Sequence, residues 1–386
     1  MAKKVLNQDV MRDVNQKLVL QQIFNEGPIS RIDISKRLKL NKSTVSTLFN
    51  MLQDENLVVE LGEGEASVNG GRRPRFTKIN GHWGYTVSFE IGYRHLHMMV
   101  NYLGGEIISF NNYDIVGFDM SAILELMVAK LHVLRISDTS RGLLGICVAV
   151  SGIVDNNRIT YAPFLDMSHE NLQTDLENEF SVPVVIENEA NLSAIYERDF
   201  NSAGDFNNTL TVSIHKGIGA GIIINGRLYR GLHGEAGEIG RSIMMDANVG
   251  VMDQFRKVED YCSEDAIIGL AQSIKEDSTI QRQDLVTLFL ADDADIKRIL
   301  KEFCAAISKI LFNVAANFDP EVIFLNSPLI EALPELLSEI RQDYRQIAEN
   351  RSLIQLAQNS QYATLLGGCS LITHEFLNMT DYVLKF

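Results

Sequence analysis

Asn41-Lys42-Ser43-Thr44-Val45-Ser46-Thr47 opens a segment in which Val45, Leu48 and Leu52 recur at helical spacing, so a helix is predicted over Lys42 to Leu52. Its first turn is small, polar and cationic, while its apolar positions point back into a core. Short hydroxyls and one Lys at a helix end are what a major-groove reader needs, because they reach base edges. The plainer alternative is a capped helix of a small bundle. The flanks favour DNA. Upstream, Val14, Leu18, Val19, Ile23 and Phe24 mark a first helix that Gly27-Pro28 stops. Ser30 is a candidate N-cap for a second, short helix with Ile34 and Leu38 on its apolar face, and Leu40-Asn41 turns into the third. Downstream, Leu57 to Glu60 and Phe76 to Ile79 read as the two strands of a wing around a Gly-rich loop, Gly62 to Gly71. Arg72, Arg73 and Arg75 flank Pro74 there, and arginines on an extended arm suit a narrow minor groove. Arg31, Lys36 and Arg37 are expected at phosphates. The candidate DNA contacts are thus Arg31, Asn41, Lys42, Ser43, Thr44, Ser46, Thr47, Arg72, Arg73 and Arg75.

The charge distribution agrees. The chain has 386 residues and a net charge of -15, which alone argues against a nucleic-acid binder. Residues 1–80, however, hold 13 Lys and Arg against 9 Asp and Glu, while the rest hold 22 against 41. A mildly basic head on an acidic body fits a protein that meets phosphate at one end. The length implies two or three domains. No apolar run of membrane-spanning length and no secretory h-region is found, so no membrane partner is expected and the cytoplasm is the expected compartment. Cys147, Cys262, Cys304 and Cys369 are scattered, with neither zinc nor disulfide spacing, and are read as small buried thiols.

From about residue 84 strands alternate with helices, pointing to an α/β body. Strands are expected at Tyr85–Glu90, His95–Asn101, Gly145–Val150, Val184–Ile186, Thr209–Ile214, Gly221–Ile224 and Val322–Leu325, and helices at Ser121–Leu134 and near Ala190–Phe200. Two strand-rich stretches suggest two lobes with a cleft between them. The expected division is a winged head over 1–80, a first lobe over 81–200 and a second over 201–386. In the body, Ser213-Ile-His-Lys-Gly217-Ile-Gly219-Ala-Gly221 could bring a hairpin backbone close to a ligand, or be only a tight turn. The run continues to Gly226, Gly231, Gly234, Gly237 and Gly240 around Glu238, and upstream lies Glu187-Asn188-Glu189-Ala190-Asn191. Carboxylates and amides clustered at strand ends are the usual means of grasping sugar hydroxyls.

These motifs resemble the ROK family (repressors, open reading frames, kinases), and within it the xylose-repressor branch of Gram-positive bacteria. The likeness runs from Val14 to about Phe376. It is carried by Pro28-Ile-Ser-Arg31, Leu40-Asn-Lys-Ser-Thr-Val-Ser46, Gly70-Gly-Arg-Arg-Pro74, Ile186-Glu-Asn-Glu-Ala-Asn191 and the Gly217–Gly240 run. The resemblance implies a winged helix-turn-helix followed by a two-lobed, actin-like sugar-kinase fold. It also implies an oligomer, homodimer or homotetramer, that a sugar releases from operator DNA. By the same resemblance Asn188, Glu189, Glu238 and Glu259 match sugar-holding positions, Gly152 matches the loop beneath the sugar, and His233 and Arg241 complete the expected effector set.

The family's kinase chemistry is not matched. The first phosphate loop, Asp-x-Gly-x-Thr in kinases, reads Glu90-Ile-Gly92-Tyr-Arg94, and Lys216 replaces a Thr in the second. Glu189 stands where kinases carry the catalytic Asp, and one extra methylene displaces the carboxylate by roughly an ångström, a cost on the order of 100-fold. Asn326-Ser327-Pro328 replaces a glycine-bearing adenine loop. Arg241 stands where the family's zinc-binding His would be, and Met244–Arg256 contains no Cys, so no metal and no cofactor is expected. Phe164 replaces an Asn of the family's sugar pocket. Arg241 could instead pair with Glu238 or reach an anionic ligand. The reading that follows is a ligand-responsive DNA-binding repressor of carbohydrate genes, not an enzyme. A divergent sugar kinase with a DNA-binding extension and a ligand-independent DNA-binding dimer are the alternatives.

Overall fold

A computed structural model describes residues 8–63, 75–163, 165–166, 171–201, 206–243, 256–348 and 352–386. The predicted Arg72 and Arg73 contacts, Phe164, and most of the Met244–Arg256 loop lie outside them.

The head is built as α1 (Gln8–Glu26), β1 (Ile29–Ser30), α2 (Arg31–Leu38), α3 (Lys42–Asp54), β2 (Val58–Glu63) and β3 (Arg75–Ile79). Ser30 caps α2 by accepting from the Asp33 N–H, as its position before an apolar-periodic run suggested. Ile29 and Ser30 also form a short strand on β3, so the expected two-stranded wing is a three-stranded sheet ordered β1-β3-β2. On α3, Val45, Leu48, Phe49 and Leu52 are buried. They share one core with Val19 and Ile23 of α1, Ile34 of α2, and Trp83, Leu103, Leu144, Met379 and Leu384. The last of these come from the far end of the sequence. Gln21 and Asn25 of α1 both donate to the Val383 carbonyl at 2.9 Å, and the Lys385 N–H donates to Asn25 at 2.9 Å. Trp83 adds a bond from Nε1 to the Glu55 carbonyl at 2.8 Å. Each large apolar side chain closed into this core contributes about 1.5–3 kcal/mol. The C-terminal residues are therefore structural for the head.

The body holds two five-stranded sheets. In the first, β4 (Tyr85–Ile91), β5 (His95–Tyr102) and β6 (Ile107–Asp114) are antiparallel neighbours, followed by β7 (Leu143–Val150) and β10 (Val184–Asn188), with α4 (Met120–Val133) and α5 (Leu172–Phe180) between strands. A small hairpin, β8 (Ile153–Asp155) and β9 (Arg158–Tyr161), follows β7, and α6 (Glu189–Asp199) follows β10. In the second sheet, β11 (Thr209–Ile214), β12 (Ile218–Ile224) and β13 (Arg227–Leu228) are antiparallel, followed by parallel β14 (Val322–Asn326) and β15 (Leu353–Leu356). The two sheets have the same order, three strands of a meander and then two later strands on the same side. Both meanders turn on Gly-containing hairpins. The two strand-rich stretches of the sequence thus share one topology. The remaining helices are α7 (Glu259–Cys262), α8 (Glu264–Lys275), α9 (Arg282–Leu290), α10 (Ala294–Phe318), α11 (Pro328–Ala332), α12 (Pro334–Ile347) and α13 (Ala363–Phe376).

The expected helices and strands recur within a few residues of their predicted limits. In the body, β6, β8, β9, β13 and β15 were not expected: β6 is mostly polar and partly exposed, and the other four are two to four residues long. The chain forms two compact units, Met1–Val148 with His169–Val185 and Gly368–Phe386, and Ala149–Ser168 with Ile186–Gly367. They interleave along the sequence, unlike the consecutive division at 80 and 200. Gly368 marks why: α13 starts in one unit and ends in the other. All four cysteines are free and buried.

Candidate functional site

On α3, Asn41, Lys42, Ser43 and Thr47 are exposed and Thr44 and Ser46 half-buried, opposite the core face. Thr47 donates to the Ser43 carbonyl at 3.1 Å, leaving both hydroxyl-bearing residues at the surface. Lys36 and Arg37 of α2 are exposed, paired with Asp33 at 3.9 Å and Glu26 at 3.0 Å. Arg31 is held differently from the expectation of a free phosphate contact. Its guanidinium lies 3.8 Å over the Phe49 ring and bonds Glu60 Oε1 at 2.8 Å. Arg75, at the wing, takes the other oxygen of Glu60 at 3.2 Å. One carboxylate thus restrains two of the expected DNA-binding arginines.

The expected effector residues fall within the second unit. Asn188 ends β10 and caps α6: its Oδ1 accepts from the Ala190 and Asn191 N–H groups at 2.8 and 3.2 Å. Its Nδ2 donates to the Gly152 carbonyl at 2.8 Å. Beside it, the Ser151 hydroxyl donates to Glu189 Oε2 at 2.6 Å. The loop after β7 is therefore tied twice to the first turn of α6, where the helix dipole favours the Glu189 carboxylate. Gly152 admits no side chain, since a Cβ there would stand 2.2 Å from the Tyr161 carbonyl oxygen. Glu187 is buried and bonded to Arg230 at 2.6 Å and to Asn191 at 2.9 Å, which fixes the strand end from behind.

The glycine-rich segment brings the other carboxylates in. Gly237 has φ +94°, and a Cβ would meet the Ala220 oxygen at 1.8 Å, so this turn lies flush on β12. Glu238 and Arg241 follow at once, 3.9 Å apart, and the Arg241 guanidinium stands 5.1 Å from the Tyr161 ring centroid. Tyr161 thereby touches both halves of the set, through its backbone at Gly152 and its ring at Arg241. Glu259 Oε2 packs against Gly217 and Gly240, and its other oxygen faces Lys257 at 3.5 Å. Burial raises the Glu238 carboxyl above its ordinary range; Arg241 and Lys257 oppose the rise, and Glu259 and Glu235 add to it. His233 is exposed and faces Asp155 at 3.8 Å, nearer the rim of the group.

Tyr161, Ser151 and Arg230 were missed in the sequence. Ser151 stands beside the predicted Gly152, but Tyr161 carries no local signal. The positions read as lost kinase features are occupied by other contacts. Lys216, at the β11–β12 turn, faces Asp265 at 3.8 Å. Asn326 donates to the Ser193 hydroxyl at 3.0 Å, and Ser327 caps α11. In the first unit, Glu90, His95 and His97 bring potential ligand atoms within 4.8 Å of one another.

A model of the ROK family matches residues 86–375, and a model of winged helix-turn-helix DNA-binding segments matches residues 12–59. The chain is 45% identical over 393 residues to the xylose repressor of Lactiplantibacillus pentosus, covering 100% of this chain and 99% of that one. It is 38% identical over 369 residues to the xylose repressor of Staphylococcus xylosus, covering 95% and 96%. A solved ROK family transcriptional regulator, a homolog of the E. coli MLC protein, matches the fold with a TM-score of 0.82 at 21% identity, covering 96% of this chain and 98% of that one. A family match over most of the body, near-complete coverage of relatives at 45% and 38% identity, and a winged helix-turn-helix DNA-binding segment at the head together place this chain in the ROK family.

Proposed function

We propose that this chain is a DNA-binding transcriptional repressor of carbohydrate-metabolism genes, relieved by a sugar or sugar derivative. The observation that carries the reading is α3: one face is closed into the head's core, and the other offers Asn41, Lys42, Ser43 and Thr47 to solvent. Thr44 and Ser46 sit at the edge of that face. Lys36 and Arg37 meet phosphates, and Arg72, Arg73 and Arg75 of the wing enter the minor groove. Arg31 joins them only by sharing or leaving Glu60. A homodimer or homotetramer would present paired heads to a two-fold operator.

The effector is held by Asn188, Glu189, Glu238, Arg241 and Glu259, with Gly152 beneath it and His233 at the rim. Carboxylates accept from sugar hydroxyls, Arg241 donates, and the Tyr161 ring offers an apolar face. Names of relatives make xylose the first sugar to try. The kinase alternative is disfavoured by Lys216, by the Ser193-bound Asn326, and by Glu189 in place of an Asp. The ligand must favour one state of the protein over the other by several kcal/mol to release the operator.

Fluorescence anisotropy of the full chain on its own upstream DNA tests this, with and without xylose and a panel of other sugars. Binding at low salt that one sugar reverses is expected. Failure to bind overturns the repressor reading. Binding that no sugar alters favours the ligand-independent dimer, and sugar-dependent ATP consumption favours the kinase.

A further inference from the structure

We propose that Glu90, His95 and His97 form a binding site for a transition-metal dication, zinc in the first instance. Strand geometry brings the three together. His95 and His97 are two apart on β5, so both imidazoles leave the same face of the sheet. Glu90 on β4 is the direct cross-strand partner of His97, which puts its carboxylate on that face as well. The result is a cluster whose ligand atoms all lie within 4.8 Å.

The local packing fits a metal site. The His95 and His97 rings are stacked, with centroids 4.1 Å apart. His97 Nδ1 and Glu90 Oε2 share a hydrogen bond at 3.0 Å, close to the spacing of two donors on one tetrahedral ion. The His97 and Glu90 side chains are 17% and 18% exposed, so an ion would be screened but reachable. The hairpin loop is shaped around the cluster: a Cβ on Gly92 would come within 2.4 Å of the His95 ring, so the glycine leaves room for that imidazole. The Gly92 N–H closes the loop by donating to the His95 carbonyl at 2.9 Å. Phe110 of β6 packs beside His97, with centroids 5.3 Å apart, and gives the ring an apolar wall.

The donor set selects the ion. Two imidazoles and one carboxylate suit zinc, cobalt or nickel, whereas calcium and magnesium take all-oxygen shells. Three protein ligands leave a fourth tetrahedral position for water or for an anionic group. Closing the cluster onto an ion would pin the first hairpin of the body sheet, the segment that reads as a phosphate loop in kinase relatives. The three ligands belong to the first unit, whereas Arg241, at the family's zinc-motif position, belongs to the second.

The test uses the full chain stripped with a chelator and equilibrated with zinc alone, read by equilibrium dialysis and metal analysis. Cobalt in place of zinc gives the visible absorption of a tetrahedral site. Wild type is expected to take up one equivalent of zinc that magnesium and calcium do not displace. His95→Gln and His97→Gln should each weaken uptake at least tenfold, and Glu90→Gln should weaken it with the hairpin preserved. His132→Gln, which removes a different His–Glu pair (2.6 Å) in the same unit, should leave uptake unchanged. Absence of stoichiometric zinc in the wild type overturns the proposal whatever the variants do, and so does equal uptake by wild type and the folded His95→Gln and His97→Gln variants.

Discussion

Asn188 performs two tasks that substitution can separate. Its Oδ1 caps α6 through two N–H groups, and its Nδ2 holds the Gly152 carbonyl. Asn188→Ala removes both. Loss of a cap of this kind costs about 1 kcal/mol, and loss of the partly buried bond to Gly152 costs about another 1 kcal/mol. The sum is about 2 kcal/mol, enough to lower the population of folded protein roughly thirtyfold relative to unfolded. Asn188→Ser separates the terms. A Ser caps a helix as well as Asn does, but its hydroxyl is one heavy atom shorter and is already turned toward the Ala190 N–H. About 1 kcal/mol should therefore return, while the Gly152 loop stays loose. Thermal and urea denaturation of the three proteins measure the first quantity, and reversal of operator binding by xylose or the active sugar of the panel measures the second. Both variants should lose sensitivity to the sugar, because Ser151 alone then ties the loop to Glu189. Equal destabilisation by Ser and Ala would refute the division of the two terms. Full sugar response in Asn188→Ser would refute the claim that the Gly152 bond positions the site.

Three further outcomes are expected. Lys42→Ala should weaken operator binding and, if the lysine meets one phosphate, lower the slope of log affinity against log salt by about 0.9 per head; an unchanged slope with unchanged affinity removes Lys42 from the interface. Glu60→Gln frees Arg75 and loosens Arg31 at a cost of about 1 kcal/mol to the head, and should tighten DNA binding at low salt; weaker binding with an unchanged melt would mean that Glu60 instead aims these arginines at DNA. Glu197 is fully buried in α6, one oxygen bound to Asn201 at 2.7 Å and the other without a hydrogen-bond partner among the described residues, and burial pushes its carboxyl up to about 7. The folded chain holds this proton more tightly than the unfolded chain, so the stabilisation is complete below the unfolded carboxyl value of 4.5 and is lost as pH rises through about 7. Glu197→Gln should therefore raise stability at pH 8 by about 1–3 kcal/mol and change little near pH 4; thermal melts at both pH values decide it, and a loss at pH 8 would show that the buried carboxylate is stabilised by its surroundings rather than disfavoured by burial.

Local chemistry was sufficient for the head. Helical spacing of Val45, Leu48 and Leu52, the Ser30 cap and the Gly27-Pro28 stop are short-range signals, and each reappears in the fold within a residue or two. Asn188 was read only as a sugar-holding position; that it also caps α6 emerged from the structure. Other features needed the tertiary structure because they depend on residues far apart in sequence. Val383 and Leu384 close the head's core from the other end of the chain, and no periodicity near residue 20 could announce them. Tyr161 joins the two halves of the candidate effector site only because β9 folds back beside Gly152. His95 and His97 are a visible pair in the sequence, but only the pairing of β5 with β4 brings Glu90 between strand neighbours and makes three separate side chains one cluster. The one-dimensional chain determined which segments are helices, strands and turns, since those choices rest on neighbours a few residues away. Which side chains share a site was decided by long-range strand pairing and core closure.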